Sequence, residues 1–460
     1  MRIKKLFKIL IISLLLIISG LFVWLSFTVF PAVSGYGSKN LCSAIYLQHR
    51  TPRDAILEDL SDFPLSLGTF TANEKDSSVT GSVLGIAKRK TIFRKGCGCT
   101  VINDITEEQI RKQQFFFPEK PSINSDTIPW PYGDKLADTF PTNINGLQLQ
   151  KAINSVMNET SANGHPASTR AVLVIYKGNI IAERYAPGFD KHTVMLGWSV
   201  SKSLVAALVG ILVKEGKIDV DAPAPVTEWA NTNKSGITIK HLLQQTTGIG
   251  FTENYSKPSS VTKMLFSKGN MAAFTSSLPL KYSPGTVFNY SSGNSNILSD
   301  IIRHVVGEKE YSAFPYKELF HKINAYSFLL EPDASGTYIG SSYSYATTRD
   351  FGRFGLLYYY NGKWNGAQIL PENWVKESTL PANADRRKHY GYQFWLNGYE
   401  EGDTTKSWYP DVPSDMFFAD GYGGQDIYII PSKKLVIVRL GLYTINENKF
   451  LREVIQSIRN

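Results

Sequence analysis

The stretch Gly197–Leu204, with the sequence GWSVSKSL, begins the segment around which the rest of the chain is organised. Apolar residues follow almost without a break as far as Val213, which predicts a helix that is buried on nearly all sides. Residues three apart share a helix face, so Ser199 and Lys202 should meet. A lysine amine activates a serine hydroxyl when burial and the positive helix end favour the neutral amine. The first-turn N–H of Ser199 would also be open to a developing oxyanion.

The same S-x-x-K pattern occurs again at Ser260–Lys263. This second copy follows a Lys-Pro-Ser sequence in a polar stretch, which is typical of a capped helix on the surface. The context of the two copies therefore favours Ser199 as the nucleophile.

The composition is that of a globular protein with a basic N-terminus. The 460 residues are 43% hydrophobic and 12% aromatic, and the formal net charge is +9. Arg2, Lys4, Lys5 and Lys8 account for much of this charge, and no long block of basic residues follows. We therefore expect no nucleic-acid partner.

The N-terminal segment predicts the cellular location. Residues 9–33 are apolar apart from scattered Ser, Thr and Gly, and this length fits a membrane-spanning helix. The sequence AVSG at residues 32–35 also fits a signal-peptide cleavage site, so an uncleaved anchor and a removed signal both stay open. In either case the basic flank stays in the cytoplasm, and the rest of the chain lies in the periplasm or on the outer face of the cytoplasmic membrane.

Three cysteines agree with an oxidising compartment. We predict one disulfide, between Cys42 and Cys99. Cys97 is the alternative partner, and three unpaired thiols are the other possibility. A zinc site is not expected, because no histidine pair or second cysteine pair completes four ligands.

The remaining patterns predict an α+β main domain. An amphipathic helix at 147–157 is followed by a hairpin at 171–185, and a second hairpin lies at 426–440. The two hairpins should share an antiparallel sheet, with a largely helical lobe between them and a closing helix at 451–458. The expected parts are a basic tail with a membrane segment (1–34), a disulfide-stapled unit (35–110), a Pro-rich connector (111–144) and the main domain (145–460).

Two further stretches suit a hydrolytic site. Residues 283–294 (SPGTVFNYSSGN) predict a turn and a polar loop, in which Tyr290 would pass a proton from Ser199 to a leaving group if Lys202 held its hydroxyl. Residues 419–425 (ADGYGGQ) precede a strand, and their glycines let a backbone edge approach a ligand closely. Neither stretch is specific alone, because a packed tyrosine and a tight turn explain them equally well.

In order and spacing, these three stretches resemble the serine β-lactamase and penicillin-binding-protein superfamily. Over residues 145–460 the chain is most similar to class C β-lactamase-related hydrolases, in particular to the branch of 6-aminohexanoate-dimer hydrolases and esterases. Further matching phrases lie at 237–249, 348–353 and 391–395. The resemblance implies a β-lactamase-like fold, in which helices flank an antiparallel sheet.

The resemblance also implies a role for each matching residue. Ser199 matches the acylated serine and Lys202 its general-base partner. Tyr290 matches the tyrosine that helps to move the proton, so the base is assigned to the lysine–tyrosine pair jointly. The third motif of the family, which lies on a sheet strand, falls on Tyr422-Gly423-Gly424. The N–H of Gln425 would then complete the oxyanion hole.

Two departures from the family pattern bear on the substrate. Ser292 stands where β-lactamases usually have Asn, and Tyr422 stands where they have a cation. We therefore expect an ester or a small linear amide as the substrate of a membrane-anchored, extracytoplasmic serine hydrolase that needs no cofactor. The alternatives are a penicillin-binding or cell-wall peptide sensor or carboxypeptidase with slow turnover, and a non-catalytic envelope scaffold. The sequence predicts no oligomeric state.

Overall fold

The computed structural model describes residues 2–160, 164 and 166–459. Two compact units are each formed from separate parts of the chain. The first unit contains residues 2–113, 252–271 and 332–336, and the second contains residues 114–251, 272–331 and 337–459. The segments 252–271 and 332–336, which the sequence analysis assigned to the main domain, thus belong to the first unit.

The helices and strands are numbered in chain order. The helices are α1 (Arg2–Thr28), α2 (Phe30–Tyr46), α3 (Pro52–Asp59), α4 (Glu107–Lys112), α5 (Gly146–Met157), α6 (Val200–Lys214), α7 (Ile239–Leu243), α8 (Ser260–Ser267), α9 (Met271–Ser277), α10 (Ser292–Val306), α11 (Glu308–Tyr311), α12 (Thr348–Tyr359), α13 (Trp374–Ser378) and α14 (Glu447–Gln456). The strands are β1 (Gly68–Asn73), β2 (Ser78–Val83), β3 (Ile86–Arg94), β4 (Gly98–Val101), β5 (Ala171–Tyr176), β6 (Asn179–Tyr185), β7 (Val194–Leu196), β8 (Leu329–Leu330), β9 (Ser344–Thr347), β10 (Lys363–Trp364), β11 (Ala367–Gln368), β12 (Trp395–Leu396), β13 (Tyr399–Glu400), β14 (Asp403–Ser407), β15 (Phe417–Gly421), β16 (Gln425–Ile430) and β17 (Leu435–Leu440).

The first unit contains an exposed apolar helix and a helix packed on a sheet. Helix α1 exposes large apolar side chains along its length, and it is long and apolar enough to cross a membrane. Helix α2 packs against the four-stranded antiparallel sheet β1–β4. Its residues Phe30 and Val33 form an apolar cluster with Val83. The predicted membrane segment 9–33 is therefore divided, because its last residues are covered by protein.

A disulfide crosses the first unit. It joins Cys42 in α2 to Cys99 in β4, across a sequence separation of 57 residues, and it is the pairing that the sequence analysis preferred. Both half-cystines are fully buried in one apolar cluster with Leu41 and Val79. Cys97 lies outside the disulfide and is also buried. The disulfide thus fixes the helix of the unit to its sheet.

The second unit is built around a six-stranded antiparallel sheet with the order β12-β15-β16-β17-β5-β6. The two predicted hairpins, β5–β6 and β16–β17, are adjacent in it, as the sequence analysis expected. Helices α5 and α14 pack on one face through an apolar cluster that includes Leu149, Tyr428 and Phe450. Helices α6 and α12 pack on the other face. The sheet is therefore covered on both sides by helices.

Local sequence explains the first hairpin. Lys177 and Gly178 have φ angles of +49° and +82°, and Tyr176 pairs with Asn179. Two consecutive left-handed residues form the type of two-residue turn whose twist matches that of its strands. The consecutive residues Ile181 and Ala182 of β6 are both buried. Because neighbouring strand residues point to opposite faces, β6 is covered on both faces at this point.

Three details differ from the sequence analysis. The closing helix α14 begins four residues earlier than expected, because Asn446 accepts a hydrogen bond from the N–H of Lys449 and caps it. Helix α8, the second S-x-x-K copy, has the expected cap from Ser259, yet it is half-buried. Its apolar residues Val261, Met264 and Leu265 recur at helical spacing and are buried, and the helix contacts α2. The lobe between the hairpins also contains the small sheet β7-β9-β8 beside its helices.

Candidate active site

The first turn of α6 brings Ser199 and Lys202 into contact. The Nζ of Lys202 lies 2.8 Å from the Oγ of Ser199, 3.1 Å from the Oγ of Ser292 and 2.9 Å from the carbonyl oxygen of Ser341. Lys202 is only 1% exposed. The Ser341 carbonyl can only accept a hydrogen bond, so one N–H of the lysine is directed to it. A neutral amine would then donate to Ser341 and Ser292 and accept the hydroxyl proton of Ser199.

The backbone around Ser199 differs from an ordinary helix start. Ser199 occupies the N-cap of α6, but its side chain caps no backbone N–H, whereas Ser291 caps α10 through the N–H of Asn294. Trp198 has a φ of +46°, a left-handed conformation that is strained for an aromatic residue and is found mainly at functional sites. Such a conformation persists only because surrounding bonds hold it, here including the one from the N–H of Gly197 to the carbonyl of Ser344 (2.8 Å). Because the hydroxyl of Ser199 does not cap the helix, it is positioned to hydrogen-bond with the amine of Lys202.

The loop that carries Tyr290 lies against the lysine. The Nζ of Lys202 is 4.9 Å from the centroid of the Tyr290 ring, and that ring stacks on Trp395 with a centroid distance of 5.1 Å. The neighbouring Asn289 donates its N–H to the carbonyl of Gln245 (2.8 Å) and its amide to the carbonyl of Phe251 (3.0 Å). The loop is thus held by backbone partners on one side and by an aromatic ring on the other.

The glycine-containing turn approaches the start of α6 from the sheet. Tyr422-Gly423-Gly424 lies in the turn between β15 and β16 rather than on a strand, which corrects the expected position of the third motif. The φ angles of +78° and +79° at the two glycines permit the chain reversal. A Cβ on Gly421 would lie 2.2 Å from the carbonyl oxygen of Gly197. Only a glycine lets this strand approach the helix so closely.

The side chains of this turn point in different directions. Tyr422 is 61% exposed, and its ring meets that of Trp198 edge to face at 5.9 Å. Gln425 is buried, and its amide is bonded to the backbone of Gly441 and to the carbonyl of Tyr422. The side chain of Gln425 is therefore occupied by bonds to the protein itself.

Most of the residues selected from the sequence thus lie around the first turn of α6. Ser199, Tyr290 and Ser292 surround the amine of Lys202. Gly421 and Tyr422 contact the residues just before Ser199. Cys42 and Cys99 belong to the first unit and have a separate role.

Four residues that the sequence did not predict also contribute to the site. The carbonyl of Ser341 is a backbone group, which leaves no signal in the sequence. Trp395 lies in the matching phrase at 391–395, which was noted only as a resemblance. Gln393 and Gln245, both fully or nearly fully buried, join through their side-chain amides and continue to Asn294. This amide network connects the segments that carry Tyr290 and Trp395.

Two histidines, the half-buried His241 and the buried His389, have structural partners. His241 accepts a hydrogen bond from the N–H of Thr238 at its Nδ1, and burial, followed by the charge of Lys240, lowers its pKa. The Nδ1 of His389 lies 2.8 Å from the carboxylate of Asp385. Among the residues that the structure describes, no group of three or more His, Cys, Asp or Glu side chains is arranged to hold a metal.

A group of acidic side chains lies on the sheet behind the glycine turn. Asp420 on β15 pairs directly with Asp426 on β16. Burial raises the pKa of Asp420 to about 7; the charge of Glu447 adds to this effect, and the charge of Lys202 opposes it. Burial, the charge of Glu447 and the charge of Asp420 also raise the pKa of Asp426. The electrostatic environment of the lysine therefore includes one carboxyl group, that of Asp420, with a pKa of about 7.

Residues 160–446 match the family model described as Beta-lactamase. The 6-aminohexanoate-dimer hydrolase of Paenarthrobacter ureafaciens is 27% identical over 295 residues, which are 59% of this chain and 72% of that protein.

Solved structures give the same fold. A Bacillus anthracis protein described as a 6-aminohexanoate-dimer hydrolase superposes with a TM-score of 0.56 at 21% identity, over 70% of this chain and 87% of that one. A family VIII carboxylesterase superposes with a TM-score of 0.52 at 13% identity, over 71% of this chain and the whole of the other. At these identities, the structural matches establish the fold alone.

Proposed function

This chain belongs to the Beta-lactamase family, whose matched members include hydrolases, and we propose that it cleaves an ester or a small linear amide through an acyl-enzyme on Ser199. The observation that carries the proposal is the contact of 2.8 Å between the Oγ of Ser199 and the Nζ of the buried Lys202. The amine of Lys202 has two of its hydrogen-bonding directions taken by Ser292 and the Ser341 carbonyl. Its third direction therefore points at the hydroxyl of Ser199.

The reaction has two halves. Ser199 Oγ bonds to the carbonyl carbon and gives its proton to the Lys202–Tyr290 pair, which passes it to the departing alcohol or amine as the bond to the carbonyl carbon breaks. Water then loses a proton to the same pair, attacks the acyl carbon and releases the acid with Ser199 restored. The N–H groups of Ser199 and Gln425 are the proposed donors to the oxyanion in both halves.

The surroundings of the site favour a neutral acyl group. Tyr422 presents an exposed ring beside Trp198 where β-lactamases have a cation. A β-lactam carboxylate would lack that ionic partner, whereas an apolar or linear substrate needs none. This supports an ester or linear amide over a β-lactam.

The test is labelling and turnover with the full chain in detergent. We expect a fluorophosphonate probe to modify Ser199, and p-nitrophenyl butyrate to be hydrolysed by the wild type but not by Ser199→Ala. The matched control is Ser260→Ala, in the second S-x-x-K copy, which should keep full activity. Absence of labelling and turnover in the wild type would refute the proposal and leave a scaffold. Stable acylation by benzylpenicillin without product release would instead indicate a sensor.

We also propose that α1 anchors the chain in the cytoplasmic membrane with the rest of the protein outside. The 27 residues of α1 span about 40 Å at 1.5 Å per residue, more than the roughly 30 Å of a bilayer core. Cleavage within residues 32–35 would remove Phe30 from its cluster with Val83, which supports an uncleaved anchor. Intact mass of the membrane-extracted protein tests this, because a mature chain that begins near residue 35 would contradict it.

A further inference from the structure

Arg439 lies directly behind the glycine turn. It is on β17, fully buried, and its Nη1 donates to the carbonyls of Gly423 (2.9 Å) and Gly424 (2.8 Å). Its Nη2 donates to Ala167 O (3.2 Å) and Thr169 Oγ1 (2.8 Å), and its Nε also donates to Thr169 (3.1 Å). A guanidinium has five N–H groups, so all five are used. The side chain connects the turn to the segment that precedes β5.

The turn is closely packed at both glycines, and its carbonyls are hydrogen-bonded. A Cβ on Gly424 would lie 2.3 Å from Arg439 Nη1, and a Cβ on Gly423 would lie 2.4 Å from the carbonyl oxygen of Leu442. The third carbonyl of the turn, that of Tyr422, accepts the side-chain amide of Gln425 at 3.1 Å. The side chains of Arg439 and Gln425 therefore hold all three carbonyls of the turn.

The contact of Arg439 with the Gly424 carbonyl also fixes the direction of the Gln425 N–H. In a planar trans peptide, the carbonyl of one residue and the N–H of the next point in opposite directions. Because the carbonyl of Gly424 points at Arg439, the N–H of Gln425 points away from it. On the opposite face of this strand pair, Gly421 approaches the carbonyl of Gly197 just before Ser199.

We propose that Arg439 is a positioning residue, which aims the N–H of Gln425 at the oxyanion by holding the Gly424 carbonyl. This inference rests on the proposed function, since it presupposes an oxyanion at Ser199. The arginine touches neither substrate nor the serine, so it acts only through the peptide that it orients. A donor that is fixed before the reaction stabilises the transition state more than the bound substrate.

The experiment compares variants of the full chain in detergent. Arg439→Met removes the five donors but keeps an unbranched apolar stem, and Arg439→Lys keeps the charge but not the fork. Thr169→Val keeps the arginine but removes its Oγ1 acceptor. The control is Arg353→Lys, because Arg353 is also buried and bonds the carbonyls of Pro131 and Gly133, away from the turn.

The measurements separate ground-state from transition-state effects. For Arg439→Met we expect kcat for p-nitrophenyl butyrate to fall by about 10²-fold, which is the loss typical of one oxyanion donor. The rate of labelling by the fluorophosphonate should fall by the same factor. KM should stay within about threefold of the wild-type value. The inhibition constant of phenylboronic acid, whose adduct is tetrahedral, should rise in parallel. Arg439→Lys and Thr169→Val should lose less, and Arg353→Lys should keep its kcat.

The outcomes are distinct. If Arg439→Met does not fold, as judged by thermal unfolding, Arg439→Lys and Thr169→Val decide the matter. Wild-type kcat in the folded Arg439 variants, or an equal loss in Arg353→Lys, would overturn the inference and leave the proposed hydrolase intact. A wild type that reacts with neither ester nor fluorophosphonate would overturn both.

Discussion

Gly421 and Gly197 meet at the junction of the sheet and α6, where a Cβ on Gly421 would lie 2.2 Å from the carbonyl oxygen of Gly197. Neither glycine has a left-handed φ angle, so close approach rather than backbone conformation requires Gly421 there. This contact sets the separation between the strand that ends in the glycine turn and the helix that begins at Ser199.

The first prediction concerns this contact. Gly421→Ala should force β15 away from Gly197 and move the Gln425 N–H relative to Ser199. We expect kcat for p-nitrophenyl butyrate to fall by about 10²-fold, because misplacement by about 1 Å has that effect on catalysis. Gly236→Ala is the control, since Gly236 has nothing within 4 Å and no positive φ. Equal activity of the two variants would contradict the prediction.

The second prediction concerns the base. Lys202→Met keeps an unbranched apolar stem as far as Cε but removes the amine, so acylation of Ser199 by the fluorophosphonate should slow by about 10²–10⁴-fold. The unpaired Ser341 carbonyl should also destabilise the fold by about 1–3 kcal/mol. Lys263→Met, in the second S-x-x-K copy, should react at the wild-type rate. A Lys202→Met protein that is labelled as fast as the wild type would exclude Lys202 as the base.

The third prediction concerns the dependence of stability on pH. Burial raises the pKa of Asp420 from 3.8 to about 7, so between these values the folded state binds more protons than the unfolded state. Stability must therefore fall as the pH rises through this range. Asp420→Asn cannot ionise, so its melting temperature relative to the wild type should increase from pH 4 to pH 8. Parallel curves for Asp420→Asn and the wild type would refute the assignment.

The fourth prediction concerns the disulfide between Cys42 and Cys99. Cys42→Ser should lower the free energy of unfolding of the first unit by about 2–5 kcal/mol, because the crosslink restricts the unfolded chain. Urea unfolding followed in the presence and absence of reductant measures this loss. In Cys97→Ala, non-reducing peptide mapping should still find Cys42 joined to Cys99. Recovery of Cys42 joined to Cys97 from the wild type would show that the pairing is wrong.

Helices and hairpins were largely predictable because each depends on neighbours in sequence. The apolar run after Ser199 predicted α6, and the pattern at 171–185 predicted the first hairpin. The contact between Ser199 and Lys202 follows from their spacing on one helix face. The N-terminal segment was predicted less well, because apolar residues that face a membrane and those that face a protein core look alike in sequence. Phe30 and Val33 belong to the core.

The sequence by itself determined the family, the antiparallel sheet formed by the two hairpins, and the pairing of a serine with a lysine. Only the tertiary structure decided what surrounds that pair. The carbonyl of Ser341, 139 residues from Lys202, and the guanidinium behind the glycine turn come from distant parts of the chain. The physical reason is that backbone carbonyls are identical in every residue, and a buried arginine has no periodic signature. Which carbonyl meets which donor is therefore set by packing alone.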